Sequence, residues 1–180
     1  MKSKSLFYLF AVAALVLAMV SCEKENPPAS QEILFHSYYI NFAWGYDHSG
    51  FFIDKNGNIK TYAQRGQYNN SMWNFPDDDC CISEDKMKEN LEQTELSDVK
   101  IDFETLQKYA AKIYSVKYDD YTEAWAACDM GAIVNVCYLF NEKTKMYKPI
   151  ILSQDGDWTR INNNSVAKEI DNWLKTIILN

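Results

Sequence analysis

From residue 34 to residue 44 every second position carries a bulky side chain: Leu34, His36, Tyr38, Ile40, Phe42 and Trp44. A period of two is the signature of a β-strand with one buried face. Gly45 to Gly50 turns the chain, and two apolar runs, Phe51 to Asp54 and Ile59 to Tyr62, then flank Lys55-Asn56-Gly57-Asn58. Asn-Gly between apolar runs signals a hairpin, because both residues accept a positive φ. Three antiparallel strands are therefore expected. Residues 64–82 break the pattern with Gly66, Asn69, Asn70, Pro76 and Asp77-Asp78-Asp79, and they read as a long loop.

Helical spacing begins after that loop. Ser83 with Glu84 and Asp85 in the first turn predicts a short helix to about Gln93, since carboxylates favour the positive end of the helix dipole. Asp102 can cap a second helix bearing Phe103, Leu106, Ala110, Ile113 and Tyr114 on one side. Ala132 to Phe140 is almost continuously apolar, as a central strand is, and Asn141 to Lys145 turns it into Met146 to Leu152. Asn164 or Ser165 can cap a last helix with Val166, Ile170, Trp173, Leu174, Ile177 and Ile178 on one face. Hairpins rather than strand–helix crossovers predict an α+β fold: an antiparallel sheet of about five strands with two to three helices packed on one face.

The N-terminus follows a different rule. Lys2 and Lys4 precede an apolar run from Leu6 to Val20, then Ser21 and Cys22, and the polar Glu23-Lys24-Glu25-Asn26 follows at once. This is the layout of a secretory signal peptide, and the run is shorter than the ~20 residues that span a bilayer. Met19-Val20-Ser21-Cys22 resembles the lipobox of bacterial lipoproteins, with Met19 where Leu is usual. The resemblance covers these first 22 residues only. It implies cleavage before Cys22, lipidation of that residue with diacylglycerol and an acyl chain such as palmitate, and residence in the cell envelope at the outer membrane, facing periplasm or surface. Glu23 and Glu25 resemble the acidic export tag of surface lipoproteins in the Bacteroidota, and equally fit a solvated linker. The chain thus divides into a signal peptide (1–21), a lipidated Cys with a Pro27-Pro28 tether (22–32) and one globular domain (33–180).

Charge narrows the partners. Eighteen basic residues stand against 25 acidic ones, a formal charge of −7. No basic patch is evident, so nucleic acid is not an expected partner, and anionic head groups would repel the body. The membrane is reached through the lipid, with each buried methylene contributing about 0.8 kcal/mol. Past the inner membrane, disulfides are permitted among Cys80, Cys81, Cys128 and Cys137, and three pairings are open. Adjacent cysteines do not offer zinc-ligand spacing, so no metal or other cofactor is expected.

Candidate chemistry is sparse. His36 and His48 are the only histidines; His36 shares the buried parity of its strand and reads as a core histidine bonded to a neighbour. Asp47-His48-Ser49 superficially suggests a triad, but triads assemble from distant segments. Asp54-Lys55-Asn56-Gly57-Asn58 mimics the start of a calcium loop without the Gly and Glu of the later positions, so a hairpin turn explains it. Trp44, Trp125, Trp158 and Trp173 read as core or core-edge residues. Tyr68, Trp73 and Phe75 beside Asp77 form the one aromatic and polar group suited to recognition, of a glycan or a protein partner. A lipid-anchored binding or interaction module is the expectation; a small envelope hydrolase or enzyme inhibitor is the alternative, and a purely structural lipoprotein the plainest case.

Intact-mass and peptide spectrometry of the envelope-extracted protein should find a mature N-terminus at Cys22 carrying lipid. An unmodified terminus elsewhere would overturn the anchoring.

Overall fold

The computed structural model describes residues 31–43, 45–66, 73–76 and 80–178; Cys22, Trp44, Tyr68 and Asp77 lie outside the described residues. Eight strands form one sheet: β1 (Ile33–Asn41), β2 (Tyr46–Asp54), β3 (Asn58–Gly66), β4 (Ile82–Ser83), β5 (Glu95–Lys100), β6 (Ala132–Asn141), β7 (Met146–Gly156) and β8 (Arg160–Ile161). Their order is β4-β7-β6-β1-β2-β3-β5, with β8 also paired to β7, and every pairing is antiparallel. The α+β class holds, but the expected five strands become eight. The extra three are edge pieces: β4 and β8 have two residues each, and β5 alternates polar and apolar residues too sparsely to signal a strand.

Three helices accompany the sheet: α1 (Glu84–Leu91), α2 (Phe103–Ala110) and α3 (Ser165–Leu174). Each starts on a side-chain cap. Ser83 accepts the Lys86 N–H, Asp102 that of Thr105, and Asn164 that of Ala167, bonds worth about 1 kcal/mol each. The Asn-Gly hairpin joins β2 to β3 as the pattern predicts, and Asp54 closes it. One carboxylate oxygen accepts the N–H groups of Asn56 and Asn58 at 2.8 and 2.9 Å. The calcium-like string is thus a turn held by its own first residue.

The helices do not share one face, which corrects the sequence expectation. In β1 the register slips between Ile33 and Phe35, so Leu34 and Phe35 face the same layer while His36 and Tyr38 face the other. The strict alternation from Leu34 to Trp44 hid this bulge. On the first face, α2 and α3 pack Leu106, Ala110, Ile170 and Leu174 against Leu34, Phe35, Ile53 and Ile150. Trp173 stacks on Tyr109 at 4.2 Å and meets Phe35 edge-on at 5.1 Å. On the second face, α1 contributes Met87 to a layer of Phe52, Tyr62, Trp73, Val136, Tyr138 and Tyr147. A sheet covered on both sides needs bulky residues at both parities, and β6 supplies them: Val134, Val136 and Tyr138 on one side, Cys137 on the other.

Gly50 fixes how closely β1 and β2 approach on the second face. A Cβ there would fall 2.3 Å from the Ser37 carbonyl oxygen and 2.7 Å from Tyr38 Cα. Both are backbone atoms, so neither can swing away. Gly50→Ala should lower the unfolding free energy by about 2 kcal/mol or more in urea titration. An unchanged midpoint would show that the two strands tolerate a wider spacing.

Candidate functional site

The second face carries both histidines of the chain, and strand register places them. His36 lies opposite Phe52 and Val136, and His48 lies opposite Gln64. Across β2, Tyr62 lies opposite Gly50, whose neighbours two residues away are His48 and Phe52. The Tyr62 hydroxyl therefore reaches both imidazoles, 2.8 Å from His36 Nε2 and 2.9 Å from His48 Nε2. The outer nitrogens are also engaged: His36 Nδ1 meets the Tyr138 hydroxyl at 3.1 Å, and His48 Nδ1 meets that of Tyr46 at 3.1 Å.

Proton counting gives this chain a direction. The Tyr62 hydroxyl has one proton between two nitrogens, so it donates to one and accepts from the other. The Tyr46 hydroxyl donates to Gln64 Oε1 at 3.5 Å, so its oxygen receives the Nδ1–H of His48. His48 Nε2 then accepts from Tyr62, His36 Nε2–H donates to Tyr62, and His36 Nδ1 accepts from Tyr138. These tautomers are assigned from the network. Gln64 passes the chain on, donating to Gln93 Oε1 at 2.7 Å. All seven linked groups are neutral.

A strap of chain covers the relay. Trp73 lies 4.1 Å from the Tyr62 ring and runs nearly parallel to Phe52, while Phe75 sits 5.4 Å from His48. Asn90 of α1, itself buried, holds the strap by its backbone: it accepts the Asn74 N–H and donates to the Asn74 carbonyl, both at 2.7 Å. That grip explains why α1 packs on this face. Between strap and sheet lies a cavity of about 230 Å³, with Trp73, Phe75, Phe52, Tyr38 and the two imidazoles among its lining. Half of its lining residues carry aromatic rings, and Ile82, Val136, Pro149 and Ile151 add aliphatic surface. Every imidazole nitrogen beside it is already hydrogen-bonded within the relay.

Trp73 and Phe75, expected to recognise a ligand, therefore both line this cavity, whereas Tyr68 and Asp77 lie outside the described residues. The sequence reading missed Tyr38, Tyr46, Tyr62, Tyr138 and Asn90. A signal was present: His36-Ser37-Tyr38 and Tyr46-Asp47-His48 put rings with polar tips at one parity of adjacent strands. The Asp47-His48-Ser49 trio does not converge, because strand alternation sends Asp47 and Ser49 to the opposite face from His48. Asp47 pairs instead with Arg65 at 3.5 Å. Trp173 is buried, but Trp125 and Trp158 are each 63% exposed, which corrects their assignment to the core. Both lie in connections flanking β8, and Trp158 adopts φ +60° in the β7–β8 turn.

Cys80 and Cys81 are bonded to each other, beside an open groove of about 990 Å³ that Tyr114, Phe140 and Lys148 also line. Cys128 is an exposed thiol, and Cys137 is a buried one whose pKa burial pushes up to about 12. Among the described residues no group of three or more His, Cys, Asp or Glu could hold a metal ion. Nor is any described helix long and apolar enough to cross a membrane. Compared with known proteins, the chain matches no family model, no curated protein and no solved structure.

Burial sets the protonation of the relay. It lowers the His36 pKa well below the usual imidazole range, with the neighbouring His48 adding to the effect, and it lowers that of His48 to about 4. The same burial raises the pKa of Tyr62 and of Tyr138. In the unfolded chain both imidazoles take up a proton below about pH 6.5. Between that pH and about 4 the unfolded state binds more protons than the folded one, so stability is lost as pH falls through this window. His48 alone accounts for on the order of 3 kcal/mol. Urea midpoints should fall between pH 7 and pH 5, and neither imidazole should titrate above pH 5 by NMR. A histidine resonance moving with a midpoint near 6.5 would refute the closed relay.

Proposed function

We propose that the protein is a lipid-anchored envelope protein whose domain binds a ligand presenting a single ring. The anchor rests on the leader and on Cys22 with the residues before it. The binding reading rests on one observation: a cavity lined by Trp73, Phe75, Phe52 and two imidazole rings whose nitrogens are all occupied. Its volume is below the several hundred Å³ typical of drug-sized sites, which suits a single ring. Aromatic faces accept either an arene or the C–H face of a sugar ring, so a terminal glycan unit and an aromatic group of a partner meet the same walls. The lipid holds the domain at the membrane, and the cavity provides the contact.

Benzamide and methyl β-glucoside test the cavity by saturation-transfer NMR on the full chain. At least one should bind, and Ile151→Phe, which adds a ring to the cavity wall, should weaken it tenfold or more with little change in urea midpoint. Binding indifferent to that substitution, or no binding of either compound, would remove the cavity as the site.

A further inference from the structure

One cross-strand row runs over the second face from β3 to β8. Tyr62 pairs with Gly50, Gly50 with Tyr38, Tyr38 with Val134, Val134 with Gln154, and Gln154 with Arg160. Residues directly opposed in antiparallel strands put their side chains on the same side. A bulge in β7 keeps this true at the far end. The β6–β7 register slips at Asn135/Val136, so Leu152 and Ser153 both face α3 and Gln154 faces the cavity side. Arg160 therefore stands over the same face as the cavity, three strands from Tyr38. That is about 14 Å between Cα atoms at the usual strand spacing, a gap that two long side chains span.

Both ends of that gap hold donors without acceptors. Arg160 Nε is buried and has no hydrogen-bond partner, and among the described residues no carboxylate pairs with the guanidinium. Among the described residues its guanidinium lies over the ring of Tyr121, 5.3 Å from centroid to Cζ. A buried donor left unsatisfied is costly, and more so when the group is charged. This is a strange place for an idle cation in a chain of formal charge −7. The Tyr38 hydroxyl, on the cavity lining, makes no hydrogen bond to any described residue. Burial pushes its pKa up to about 12, and the positive charge of Arg160 is felt there as an opposing influence. The nearby acids are directed elsewhere: Asp155 leaves the strand on the opposite face, and Asp157 accepts the backbone N–H groups of Met130 and Gly131.

We propose that the site takes a ring-bearing carboxylate, its ring enclosed by Trp73, Phe75 and Phe52 and its anionic group held by the Arg160 guanidinium and the Tyr38 hydroxyl. This rests on the ring-binding reading above and adds the ligand's charge and its polarity along the row. A planar carboxylate matches the guanidinium fork, which offers parallel N–H donors. An arene carboxylate and a uronic acid share this chemistry, and the two are separated by the probes.

Calorimetry on the full chain compares benzoate with benzamide and glucuronate with methyl β-glucoside. In at least one pair the acid should bind tenfold or more tighter than its neutral partner, and the pair that discriminates identifies the source of the ring. Arg160→Gln should erase that preference and leave the neutral compound within twofold. Tyr38→Phe, which keeps the ring, should reduce the preference in part, and near-UV circular dichroism of both variants should match the parent. Equal binding of acid and neutral compound in both pairs, or a preference that survives Arg160→Gln, would overturn the anion site while leaving the ring cavity standing. Failure of all four compounds would remove cavity and anion site together.

Discussion

A buried imidazole is tolerated only when its nitrogens have partners, and here two imidazoles share one. The Tyr62 hydroxyl can meet both His36 and His48 only if β1, β2 and β3 keep a single register, because a slip of one residue sends one of the three side chains through the sheet. Tyr138 extends the requirement to β6, and Gln64 to Gln93 carries it to the end of α1. Hydrophobic burial gives this layer its free energy; the relay decides which of the possible pairings is correct. The strap and the cavity follow, because Trp73 and Phe75 pack on rings whose positions the relay has already set.

The two faces of the sheet are built on different principles. Toward α2 and α3 the layer is aliphatic apart from Phe35, Phe51, Tyr109 and Trp173, and its buried carboxylate, Asp171, is satisfied by Asn135, Ser153 and Lys175. Toward α1 the layer is mainly aromatic, with polar tips turned inward. Aliphatic side chains interlock and leave little space, while rings held at fixed distances by hydrogen bonds enclose a gap between them. The aliphatic layer thus sits on one side of the strands and the candidate cavity on the other.

Much of the secondary structure was legible. The Asn56-Gly57 hairpin, the three helix caps at Ser83, Asp102 and Asn164, and the apolar run of β6 are local signals, written in neighbouring residues. What was illegible depends on distance. The bulge at Leu34 leaves the apolar alternation intact while putting Leu34 on the face opposite to Tyr38 and Ile40. Edge strands such as β5 take their pairing from β3, about 35 residues earlier in sequence, rather than from their own composition. Of the site, Trp73 and Phe75 stood out by composition. Arg160 did not, since a lone arginine in a turn-rich segment has no local mark until the row from Tyr38 brings it over the cavity.

The place of β1 has a consequence for how the chain comes to be folded. It is a central strand, with β2 on one side and β6 on the other, so Phe35 is partnered by Cys137 about a hundred residues later. Strand β1 is left with an unpaired edge until β6 follows about a hundred residues later, and loop closure of that length makes folding slow. For the lipid-anchored envelope protein proposed above, such an arrangement keeps the chain threadable in transit, and the sheet closes only when the hairpin of β6 and β7 arrives.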